Sequence, residues 1–130
     1  MAGQNNPGNI RLTSIPWVGI CSLQKGPYVD FISPEYGFRA MAKILASYQK
    51  EGIHTIRAAI SRWAPEADGN PTEQYIQNVS DWTGIDPDVT TALPELPILR
   101  AMTRQEQGRC DYPDSTIALG LTLANPQAET

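Results

Sequence analysis

At 130 residues the chain has room for one domain of ordinary size and not for two. Its 10 Lys and Arg against 14 Asp and Glu leave a net charge of −4, which gives no basic surface to neutralise phosphates and excludes nucleic acid as an expected partner. No run of 18 or more apolar residues is present, so membrane insertion is not expected, and the first thirty residues lack the basic and apolar regions of a secretory signal peptide.

Residues 1–32 are rich in Asn, Gly, Pro and Ser without a sustained period, and read as an irregular loop lobe with a short strand pair at Trp17–Cys21 and Tyr28–Ile32. The first helix starts after Ser33, an N-cap residue followed by Pro34 and Glu35, and stops at Gly52. Phe38, Met41, Leu45 and Tyr48, with Ile44 beside them, form its apolar stripe. A second helix spans Thr55 to Ala64, carrying Ile56, Ala59, Ile60 and Trp63, because Pro65 forbids continuation. Residues 65–70 form an exposed loop, and Asn70-Pro71 with Glu73 opens a third helix that ends near Gly84. Its predicted buried face is Tyr75, Ile76, Val79 and Trp82. A fourth helix occupies roughly Pro94 to Gln107 with Gly108 as its stop. A fifth, capped by Asp114 or Ser115, carries Ile117, Leu121 and Ala124. The expected fold is therefore mainly α: a helical core over 33–124, four or five short helices in a compact bundle, with the loop lobe on one side and a tail at 125–130.

Glu106 breaks two local rules. Leu99, Met102 and Glu106 stand at i, i+3 and i+7, which puts the carboxylate on the apolar stripe, and it lies in the last turn, where the helix dipole disfavours an anion. A carboxyl in that position is a candidate general acid, or the partner of Arg100, Arg104 or Arg109. Glu35 is the second catalytic candidate, with plain complementation of its helix dipole as the alternative. Asp30, Glu66 and Asp68 are loop acids, the last two able to line a cleft rim. The amides of residues 4–9 donate and accept together, as sugar hydroxyls and N-acetyl groups require, although Asn and Gly also serve turns; Trp17 offers a stacking face.

Cys21 and Cys110 lack CxxC spacing and read as buried thiols in preference to a disulfide. Cys21 with His54 is a weak nucleophile pair. No metal site or cofactor is expected, since His clusters, HExxH and a phosphate-binding glycine loop are all missing from the sequence.

Several segments occur together and in order: Asn5-Asn6-Pro7-Gly8-Asn9-Ile10-Arg11, Trp17 with Gly19, Ser33-Pro34-Glu35-Tyr36-Gly37-Phe38-Arg39-Ala40, Arg62-Trp63-Ala64-Pro65, then Asn70, Thr72 and Tyr75. Over about residues 5–108 this pattern resembles a family of phage and prophage proteins commonly called virion structural proteins, which look like small lysozyme-type, peptidoglycan-degrading domains. Glu106-Gln107-Gly108 is similar to that family's closing Glu-x-Gly. Where the family has a Glu-Asn pair ahead of its Thr and Tyr, this chain has Asp68-Gly69-Asn70.

The resemblance implies a single lysozyme-like domain over 1–130, in a phage virion acting at the bacterial cell wall, with the glycan strand and other virion proteins as partners. It implies glycan-strand cleavage by a muramidase or lytic transglycosylase, or a non-catalytic baseplate, tail-tip or ejection part that keeps the fold. Glu106 and Glu35 are then the candidate acids, and Asn6, Asn9, Arg11, Trp17 and Asn70 the candidate substrate-binding residues. The cleft is expected where the loop lobe meets the helices, with Asn9, Arg11, Trp17 and Glu35 on its walls.

Overall fold

A computed structural model describes residues 3–125; of the tail expected at 125–130, all but Asn125 lies outside them. Five α-helices follow one another: α1 Pro34–Lys50, α2 Ile56–Trp63, α3 Thr72–Thr83, α4 Leu96–Gln107 and α5 Asp114–Ala124, with a 3-10 turn at Glu66–Asp68. The mainly helical class, the number of helices and the order of elements are those the sequence predicts. The strand pair is reduced to two isolated antiparallel bridges, Arg11 to Tyr28 and Ile20 to Phe31.

Helix starts and stops follow local chemistry with two shifts, at the start of α3 and at the start of α4, which begins at Leu96 and not at Pro94. Thr55 caps α2 by accepting a hydrogen bond from the Ala58 amide, and glycines in the left-handed conformation end α3 at Gly84 and α4 at Gly108. The third helix begins at Thr72, not at Asn70, because the Asn70 side chain donates instead to the Pro65 carbonyl. Pro97 sits in the first turn of α4, where its missing N–H is harmless.

α1 packs chiefly on α5, and α3 packs on both α2 and α4. The apolar stripes meet in one core: Phe38, Met41 and Leu45 of α1 join Ile56, Ile60, Ile76, Val79, Ile98, Leu99, Met102 and Ile117. The loop lobe is fastened to this core by Val29 and Phe31, both fully buried. It also approaches α1 closely, since a Cβ at Gly37 would stand 2.4 Å from the Asn5 carbonyl oxygen. Within the lobe, Asn6 donates to the carbonyls of Ile10 and Val29 and accepts from the Ile10 amide. Buried Asp30 accepts from the Gln4 and Lys25 amides. These two polar side chains stand in for a sheet.

Trp82 departs from expectation. It is 37% exposed, and its ring carries the Arg104 guanidinium 3.9 Å from its centroid. The α3 stripe reaches the core through Tyr75, Ile76 and Val79, and its last turn lies beyond the bundle. Both cysteines are free and half-buried. Cys21 sits in the loop lobe and His54 is exposed ahead of α2, with no hydrogen bond between them. Among the described residues no helix is long and apolar enough to cross a membrane.

Candidate functional site

The loop lobe and the helices enclose an open cleft of about 670 Å³. Gly8, Asn9, Ile10, Arg11 and Tyr28 supply the lobe wall, Ile44 and Tyr48 come from α1, Trp63 and Ala64 from the end of α2, Asp68 and Asn70 from the following turn, and Glu106 from α4. Amides, aromatic rings and three charged groups thus share one concave surface, the usual composition of a small-molecule or oligosaccharide site.

Glu106 is fixed by three donors from three other parts of the chain. Trp63 Nε1 donates to Oε2 at 3.1 Å and the Tyr75 hydroxyl donates to the same oxygen at 3.0 Å. Asn9 Nδ2 donates to Oε1 at 3.0 Å and to the Glu106 carbonyl at 3.2 Å. All three donors are neutral. The arginines near it in sequence are engaged elsewhere: Arg100 pairs with Asp114, Arg109 with Asp111, and Arg104 with the Trp82 ring. The ion-pair alternative for Glu106 is therefore not the one this fold uses.

Asn9 is itself held in a strained state. Its φ of 51° lies in the left-handed region that side chains other than glycine seldom adopt. Gln107 Nε2 donates to Asn9 Oδ1 at 3.0 Å and to the carbonyls of Asn6 and Pro7 at 3.2 Å. Because Gln107 presents a donor to the Asn9 oxygen, the Asn9 nitrogen is turned toward Glu106. Helix α4 thus orients the group that orients its own carboxylate.

The sequence-predicted residues divide. Glu106, Asn9, Arg11 and Asn70 come together on the cleft. Asn6 is buried within the lobe, where its side chain is bonded to the backbone of Ile10 and Val29. Glu35, half-buried in the first turn of α1, is not among the residues lining the cleft. Trp17 packs against the core from the lobe, away from the cleft, with its indole N–H buried and unpaired. Tyr48, Trp63, Tyr75 and Gln107 are the site residues that sequence reasoning missed. Three of them occupied predicted apolar stripes, and their polar tips gave no signal of a common target.

Tyr75 carries a testable consequence. Burial, then the Glu106 charge beside it, holds its phenol well above the ordinary tyrosine value. The folded protein therefore keeps this proton where the unfolded chain releases it, so stability present below about pH 10 is lost as pH rises beyond it. Tyr48, raised by burial and by Glu51 against the opposing effect of Arg62, acts in the same direction. The urea midpoint should fall between pH 8.5 and pH 11, and Tyr75→Phe should flatten that fall. An unchanged slope in the variant would show that Tyr75 is not its source.

No family model matches the chain. Over 122 residues it is 37% identical to Protein P5 of Pseudoalteromonas phage PM2, covering 89% of this chain and 76% of that protein. The chain belongs to the Protein P5 family. Its kinship is therefore with a phage protein, as the resemblance to phage and prophage proteins implies. With three quarters of Protein P5 covered, the alignment takes in lobe and helices together and not a single shared motif.

Proposed function

We propose that this chain is a virion component of a phage whose cleft binds the glycan strand of the bacterial cell wall and cleaves it, with Glu106 as the acid. One observation carries the reading: a carboxylate on the wall of a polar-aromatic cleft, immobilised by three neutral donors and left without a cation. A carboxylate accepts at about four positions. Two donors fill Oε2 and one occupies Oε1, so one position on Oε1 stays open. A proton held there passes to a glycosidic oxygen as the C1–O bond breaks, water supplies the hydroxyl that replaces the departing sugar, and the proton that this water gives up restores the Glu106 acid. Asp68 is the second carboxylate of the cleft. Neutral donors position Glu106 without locking it into a permanent ion pair, which an acid catalyst needs.

Lysozyme-like architecture and action at the cell wall belong to the same proposal, supported by the resemblance in residues 5–108 and by phage kinship. A non-catalytic virion part is the second reading. It is favoured by the way Glu106 ties α2, α3, α4 and the lobe together, a purpose that needs no turnover.

Chitotetraose titration followed by amide NMR tests the cleft. Shifts are expected at Asn9, Arg11, Trp63 and Asn70. Absence of shifts at millimolar sugar, or shifts confined to α5, would remove the glycan reading and leave the structural one.

A further inference from the structure

We propose that Arg11, stacked on Tyr28, is a carboxylate-reading subsite that selects glycan carrying a free carboxylate, the lactyl group of muramic acid where it bears no stem peptide, over neutral oligomers of N-acetylglucosamine. The inference rests on the glycan reading and names the substrate class that the same cleft takes.

Arg57, Arg62, Arg100 and Arg109 each form an ion pair with an Asp or Glu. Arg11 is a different case. It lines the cleft, its guanidinium carbon lies 5.2 Å from the Tyr28 ring centroid, and among the described residues no carboxylate lies within ion-pair distance of it. The ring attracts the cation through its face and leaves the planar N–H edge free, the edge that meets a carboxylate in two parallel hydrogen bonds.

The platform is rigid. Arg11 and Tyr28 are partners in an antiparallel bridge, and hydrogen bonds on either side close it: Leu12 N to Pro27 O at 2.7 Å and Val29 N to Ile10 O at 3.0 Å. A long side chain held by ring and backbone loses little freedom on binding. Asp68 shares the cleft and opposes entry of an anion. An acidic sugar therefore enters best where a cation offsets it, and Arg11 is the cation lining that space.

The test is calorimetric titration of the whole chain with two probes of equal length, chitotetraose and a peptide-free tetrasaccharide alternating N-acetylglucosamine and N-acetylmuramic acid. The wild type should bind the acidic probe about tenfold more tightly, with the preference shrinking at high salt. Arg11→Gln should erase that preference, weakening the acidic probe about tenfold more than it weakens chitotetraose. Arg11→Lys, which keeps the charge and loses the planar fork, should retain only part of it. Arg11 is exposed, so thermal midpoints should match the wild type. Equal affinity of the wild type for the two probes, or equal weakening of both by Arg11→Gln, overturns the proposal while leaving glycan binding intact. Failure of the wild type to bind either probe overturns the glycan reading and this one together.

Discussion

Phe38→Ala should lower the free energy of unfolding by about 3–5 kcal/mol, the range for emptying an aromatic side chain from a packed core. Phe38 is fully buried and stands at the seam between α1 and α5, where its ring and that of Tyr112 meet at right angles with centroids 5.2 Å apart. The seam is tight because α5 presents Gly120 to it: a Cβ there would lie 2.5 Å from Phe38 Cβ and 2.9 Å from the Glu35 carbonyl oxygen. Filling the seam is therefore as harmful as emptying it. Gly120→Leu should destabilise by about 3 kcal/mol or more, since the obstruction includes α1 backbone that no rotamer change relieves. Urea unfolding of both variants measures this. A Gly120→Leu protein as stable as the wild type would mean that α5 does not rest on α1 as described.

Glu106→Gln should have the larger effect on activity and a measurable one on stability. Glutamine keeps the shape but replaces one carboxylate oxygen by an NH2 group. With its oxygen toward Trp63 and Tyr75, the new amide faces Asn9 Nδ2, donor against donor. Turning Asn9 over moves the conflict to Gln107, whose Nε2 then meets the Asn9 nitrogen. No rotation satisfies every member, so the substitution should cost about 1–3 kcal/mol. Cleavage should fall by about 10²–10⁴-fold, the usual contribution of a general acid. Gln107→Leu separates the two roles. It leaves the carboxyl in place and frees Asn9 to turn, so it should reduce cleavage partially and shift its pH profile, whereas loss of packing alone would leave the profile fixed.

The helical plan was legible because its determinants are local. Proline at helix starts, glycine at stops and the 3.6-residue spacing of Phe38, Met41, Leu45 and Tyr48 depend on neighbours in the chain, and the structure uses them as read. Glu106 was visible for the same reason, as a carboxylate on an apolar stripe at the unfavourable end of a dipole. Its partners were not. Asn9 lies 97 residues away and Trp63 lies 43 residues away, and nothing in a sequence reports which indole N–H converges on which oxygen. Trp82 was misplaced because continuing the α3 stripe by spacing ignores where the bundle ends. Asn6 looked like a sugar ligand because an amide that binds sugars and one that ties a loop lobe to itself have the same chemistry.

The central claim, that Glu106 is the acid of a glycan-cleaving cleft, is tested most directly by incubating purified sacculi with the isolated chain and resolving the soluble muropeptides by mass. Wild-type protein should release disaccharide-peptide fragments with newly formed sugar ends, and folded Glu106→Gln at the same concentration should release none above buffer. Release by both proteins at equal rates would remove Glu106 as the acid, and no release by the wild type would contradict cleavage altogether and leave a virion part that binds without turnover.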